Sequence, residues 1–97
     1  MELEIKIAFY LIEDGIPAHL QGFKYLIDCI EMVLEANPME YISATNIYLD
    51  VARKHKTTWK TVERAVRFAI SKRTEKLTNW AYIQKSAWEL RKRGLQK

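Results

Sequence analysis

Between Tyr48 and Arg67 the chain reads Tyr-Leu-Asp-Val-Ala-Arg-Lys-His-Lys-Thr-Thr-Trp-Lys-Thr-Val-Glu-Arg-Ala-Val-Arg. Apolar residues three and four apart, broken once by a short polar stretch, specify two short helices joined by a tight turn. The first helix offers Val51 and Ala52 to the interface between them, and the small Ala52 lets the second helix cross closely. Thr57 and Thr58 supply hydroxyls that can cap the exposed amides at the start of the second helix. A segment built this way needs other helices to cover its apolar side.

The remainder of the 97 residues is suited to that task. With 48% hydrophobic residues the chain is long enough for one core and too short for two, so one domain over 1–97 is expected. It holds only 3 Gly and 2 Pro, and its apolar residues recur at helical rather than alternating spacing. The expected class is all-α, with about five helices that include the helix-turn-helix.

Leu3 to Ile12 reads as a first helix with Ile5, Ala8, Phe9 and Ile12 on one face, stopped by Gly15 before Pro17. From His19 to Ala36, Leu20, Phe23, Ile27, Ile30 and Leu34 form a stripe that Leu26 and Val33 widen, and Asn37-Pro38 closes it. This segment is the expected central helix. A third helix starts at Ser43, whose hydroxyl can cap it, and runs to about His55. The fourth spans roughly Trp59 to Lys72, with Val62, Ala65, Val66, Ala69 and Ile70 on one side. Lys60, Glu63, Arg64, Arg67 and Ser71 lie opposite and must face outward. The last helix, about Thr78 to Arg93, presents Trp80, Ile83, Ala87 and Leu90 to the core, with Arg91-Lys92-Arg93 offsetting the dipole at its end. Trp80 and Trp88 are both expected in or near the core.

Charge separates the two halves of the chain. Residues 1–50 carry 2 basic and 9 acidic side chains, a balance of −7, whereas residues 51–97 carry 14 basic and 3 acidic, a balance of +11, which together give the net +4. The C-terminal half is therefore the side that faces a polyanion. Two helices with a basic outer stripe on the second form the pattern of a helix-turn-helix reader of double-stranded DNA. Lys54, Lys56, Thr58, Lys60, Lys72, Arg73 and Lys76 are the candidate phosphate contacts, which set register and affinity without reading sequence.

Two further stretches resemble a known family. Gly15-Ile16-Pro17-Ala18-His19-Leu20-Gln21-Gly22-Phe23-Lys24-Tyr25-Leu26, then Val62-Glu63-Arg64-Ala65-Val66-Arg67-Phe68-Ala69-Ile70, with Lys76-Leu77-Thr78-Asn79 ahead of a final helix, resemble the C-terminal DNA-binding effector domain of the bacterial sporulation master response regulator. The likeness runs from about Ile12 to Arg93. It implies an all-helical domain that reads a short DNA box through its recognition helix, as tandem or paired domains on promoters of sporulation and related genes. It also implies base-reading roles for Glu63, Arg64 and Arg67, which all lie on the outward set derived above.

The side-chain chemistry is consistent with those roles. An arginine fork can donate to guanine O6 and N7 together, and a carboxylate can accept from cytosine N4. The alternative for Glu63 is an i,i+4 pair with Arg67 on a solvated face, worth about 0.2–0.5 kcal/mol. The sequence departs from the family in three places. An effector region without a receiver domain ahead of it is expected, the Ser71–Leu77 connection is shorter, and Trp59 with Lys60-Thr61 stands where a small and a basic residue are expected from the family.

Other classes find little support. One Cys and two distant His give no metal-ligand spacing, and no phosphate loop, nucleophile elbow or paired carboxylates with a base are present, so neither an enzyme nor a cofactor is expected. His19 and His55 are expected to be structural. Cys29 within an apolar helix suits a buried thiol in a reducing cytoplasm. No basic leader or apolar run of about 18 residues points to secretion or a membrane. Two competing functions remain: a module that keeps the fold but binds another regulator through the acidic half, and a nonspecific nucleic-acid binder.

Overall fold

A computed structural model describes residues 2–37, 39, 41–73 and 75–94. Five helices follow in order: α1 (Glu2–Glu13), α2 (Gln21–Glu35), α3 (Ala44–Lys54), α4 (Trp59–Ile70) and α5 (Asn79–Lys92). No strand occurs among the described residues, so the fold is all-α. The apolar spacing of α2 buries Phe23, Leu26, Ile30, Val33 and Leu34, and Tyr25 and Cys29 extend the buried surface around much of the helix. A helix apolar over so wide an arc must be central, and α2 packs against each of the other four. Leu20 and Ile27 are only partly buried at its margins.

Local chemistry sets the boundaries. Ser43, Thr58 and Thr78 each accept a hydrogen bond from the amide three residues on, at 3.4, 3.2 and 3.2 Å, and so begin α3, α4 and α5. At the end of α1, Ile16 N–H donates to the Leu11 carbonyl and Gly15 N–H to that of Ile12. Gly15 adopts φ +89° there, the left-handed turn that glycine enters without a Cβ clash. The Pro38 stop expected after α2 lies outside the described residues; within them, Arg91 of α5 donates to the Val33 carbonyl at 2.7 Å and so covers the exposed end of α2.

The same turn closes α3, but with a different residue. Thr57 N–H donates to the Ala52 carbonyl and Lys56 N–H to that of Arg53, with Lys56 at φ +56°. An L-residue in this conformation costs roughly 1–2 kcal/mol, part of which glycine gives back through its freer unfolded chain. Lys56→Gly is therefore expected to stabilise the DNA-free protein by about 0.5–1 kcal/mol, which a thermal melt would show as a rise of a few degrees. An unchanged or lower melting temperature would contradict this account of the turn.

Two expectations about packing need correction. On α1 the buried face is Ile7, Tyr10 and Leu11, whereas Ile5, Phe9 and Ile12 are 50%, 62% and 50% exposed. The helix is apolar nearly all round, so periodicity alone could not tell its inner face from its outer one. Trp88 is 62% exposed rather than core, because Tyr82, Ile83, Ser86, Ala87 and Leu90 form the inner face of α5 and Trp88 points away from it. Trp80 is partly buried against the core.

Burial also holds several acids protonated. The Cys29 thiol is pushed up to about 12, chiefly by desolvation and then by Asp28, and the Tyr48 phenol also to about 12, chiefly by desolvation. Tyr82 is raised too, by burial first and then by its hydrogen bond to Asp14. Above about pH 9 the unfolded chain releases these protons while the native state retains them, so stability must fall as pH rises. Urea midpoints are expected to decline steadily between roughly pH 9 and 11, and a flat profile would contradict that.

Candidate nucleic-acid interface

The first half of the site is the anchoring of α3 and its turn. The Asp28 carboxylate on α2 accepts from Lys54 Nζ at 2.8 Å and shares a 2.5 Å hydrogen bond with His55 Nε2, whose ring stands edge-on to Tyr25 at 5.1 Å. The side chain of Asp28 is 9% exposed, so its charge is held by these partners rather than by water. That hydrogen bond raises the Lys54 pKa. Glu4 and Glu31 stand close by, their carboxylate oxygens within 4.8 Å of Asp28, a cluster that sequence spacing did not show. Both Asp28 oxygens are engaged by Lys54 and His55, and the cluster lies where α1, α2 and the end of α3 meet. His55 is structural as expected, whereas His19 is exposed on the loop before α2.

The second half is α4 itself. Val62, Val66, Ala69 and Ile70 are buried, with Ala65 partly so, and the helix lies across α2 at Gly22. At about 100° per residue the opposite arc contains Lys60, Thr61, Arg64, Arg67, Phe68 and Ser71, all exposed. Arg64 lies at the middle of that arc and has no hydrogen bond or ion pair to the described residues. Phe68 also faces outward, under the Lys72 ammonium at 4.4 Å. Trp59, 40% exposed, opens the helix with Lys60 over its ring at 5.9 Å.

Glu63 sits at the edge of the arc and not at its centre. Arg67 Nε donates to Glu63 Oε2 at 3.2 Å, Arg67 Nη2 pairs with Oε1, and Asn79 Nδ2 donates to the Glu63 carbonyl at 3.0 Å and to Oε2 at 3.3 Å. The i,i+4 pair was visible in the sequence. The tie from α5 was not, because nothing in the spacing of Glu63 and Asn79 indicates that α5 returns to α4. Arg67, Glu63 and Asn79 line an open groove of about 630 Å³ together with Lys76 and Leu77.

Among the candidate phosphate contacts, Lys56, Lys60, Lys72 and Lys76 are exposed around α4. Lys54 is 57% exposed with its ammonium on Asp28. Thr58 uses its hydroxyl to cap α4, meeting Thr61 N–H and, at 2.9 Å, Thr61 Oγ1. Arg73 departs from expectation. Its side chain is 7% exposed, with Nε 3.0 Å from Asp14 Oδ2 and Nη2 3.3 Å from Glu75 Oε1, and its guanidinium lies 4.8 Å from the Tyr82 ring. A cation held on three sides inside the fold has no free face for a phosphate, so Arg73 is a structural residue.

A helix-turn-helix made of α3 and α4, with the outward face of its second helix carrying arginines on the cationic half of the chain, defines the class of DNA-binding regulatory domains. Residues 7–89 match the family described as sporulation initiation factor Spo0A C terminal. The chain belongs to that family, a family of DNA-binding regulatory domains of a sporulation transcription factor and not of enzymes. No helix among the described residues is long and apolar enough to cross a membrane.

Proposed function

We propose that the protein is a sequence-specific regulator of transcription that places α4 in the major groove of double-stranded DNA and acts on sporulation-related promoters. Arg64 reads a guanine from the centre of the outward arc. Arg67 and Glu63 act as one unit beside it, with the carboxylate orienting the guanidinium until a base edge takes its place. Lys56, Lys60, Lys72 and Lys76 hold flanking phosphates, Lys54 adds a charge from the end of α3, and the amides at the Thr58 end of α4 attract the backbone. Binding at adjacent boxes as paired domains is part of this reading.

The observation that carries it is Arg64 at the apex of α4, without a hydrogen-bond or ion-pair partner among the described residues. With Lys60 and Arg67 on either side of it on the exposed arc, its guanidinium is available to a base edge. The test is selection of bound duplexes from a random pool at near-physiological salt, followed by affinity measurements on the enriched box. Arg64→Ala or Arg67→Ala is expected to lose about 1–3 kcal/mol on that box and to relax preference at one base pair. Lys72→Ala is expected to weaken all sequences alike and to lower the salt slope by about one. Equal losses on every sequence for the arginine variants would overturn base reading, and failure to enrich any box would favour the partner-binding module.

A further inference from the structure

The outer face of α1 has no role in the DNA-binding reading. Ile5, Phe9 and Ile12 stand one and two turns apart on a single stripe, each at least half exposed, with Ala8 beside them. Large apolar side chains in a row on the outside of a helix are costly to leave in water and mark an interaction surface. On one flank of the stripe Lys6 and Glu13 lie close together in angle, with Glu2 between them and the stripe; on the other flank the one charged residue, Glu4, lies beyond Ala8 with its carboxylate beside those of Asp28 and Glu31 on α2.

We propose that this stripe pairs with the same stripe of a second copy, α1 running antiparallel to α1. In a two-fold antiparallel pair like flanks meet, so a flank that carries both signs is complementary to itself. Setting Lys6 level with Glu13 of the second copy places the two Phe9 rings together at the axis and Ile5 near Ile12 of the other copy at each end. Both pairs of charges are then satisfied by the register that matches the apolar residues. A flank bearing one sign would instead have repelled its copy. Among the described residues Lys6 reaches Glu2 at 3.9 Å and Glu13 reaches Arg93 at 3.9 Å, long contacts that can be exchanged for partner ones. α1 packs mainly on α2 and has no extensive contact with α4, so the pairing leaves the outward arc of α4 free.

The contact is small and the dimer correspondingly weak. Sedimentation velocity of the DNA-free protein from roughly 10 µM to 1 mM is expected to show mass rising from 11.5 kDa toward twice that value. Phe9→Glu should weaken association about tenfold or more without lowering the melting temperature, since the ring is 62% exposed in the monomer. Lys6→Glu or Glu13→Lys alone should weaken it, and the two together should restore it. A protein that stays monomeric throughout overturns the proposal. So does a dimer that survives Phe9→Glu, or one that Trp88→Ala abolishes, which would place the contact on the groove between Tyr41, Ile42 and α5. Failure of the double charge exchange to restore association overturns the antiparallel register.

Discussion

Gly22→Ala is expected to destabilise the protein by about 3 kcal/mol or more, although the exchange puts a better helix former into α2. Within an exposed helix Ala gains about 1 kcal/mol over Gly. Here a Cβ at position 22 would stand 2.2 Å from the Ala65 carbonyl oxygen, 2.8 Å from its carbon and 2.8 Å from Ala69 Cβ. Two of those three atoms are backbone of α4 and cannot turn aside, so the helices must part by about 1 Å to restore ordinary contact, against an attraction that falls off steeply with separation. α2 and α4 form the most extensive helix contact in the fold. A loss of this size lowers the melting temperature by roughly 12–24 °C for a domain of this length. Thermal melts and urea titrations would measure it, and a variant as stable as the parent would show that α4 does not lie on Gly22.

The same position explains why some of the architecture could be inferred and some could not. Ser43, Thr58 and Thr78 each precede an apolar period, so the starts of α3, α4 and α5 and the inner face of α4 follow from nearest-neighbour chemistry along the chain. Gly22 in the sequence is only a glycine inside a helical pattern. Its meaning depends on which helix crosses α2 at that turn, information carried by residues more than 40 positions away. The face of α1 failed for a related reason: Ile5, Ile7, Phe9, Tyr10, Leu11 and Ile12 surround the helix, and only the shape of α2 decides which of them are inside. At the candidate interface, the outward arginines follow from the period of α4. The tie of Glu63 to Asn79 and the burial of Arg73 come from tertiary approach and have no local signature.

Arg73→Ala is the second change expected to have a large effect, and it separates a structural arginine from a DNA contact. The guanidinium links three segments: Asp14 after α1, Glu75 after α4, and Tyr82 on α5. Asp14 also accepts from the Tyr82 hydroxyl at 2.6 Å. Removing the arginine leaves the Asp14 carboxylate with one neutral donor in a setting where it is 26% exposed. Breaking a fully buried pair costs about 3–5 kcal/mol, and partial access of water to Asp14 reduces that to roughly 2–4 kcal/mol. Arg73→Lys should recover little, because an ammonium cannot span the Asp14 carboxylate and backbone carbonyl while stacking on the ring. The decisive comparison is with Lys72→Ala, one residue away on an exposed side chain. Lys72→Ala is expected to keep the parent melting temperature and to weaken DNA binding at all sequences. Arg73→Ala is expected to melt much lower and, at temperatures where it remains folded, to keep its salt slope. An Arg73→Ala protein with unchanged stability and a salt slope reduced by about one would return Arg73 to the phosphate contacts and refute the structural role assigned to it.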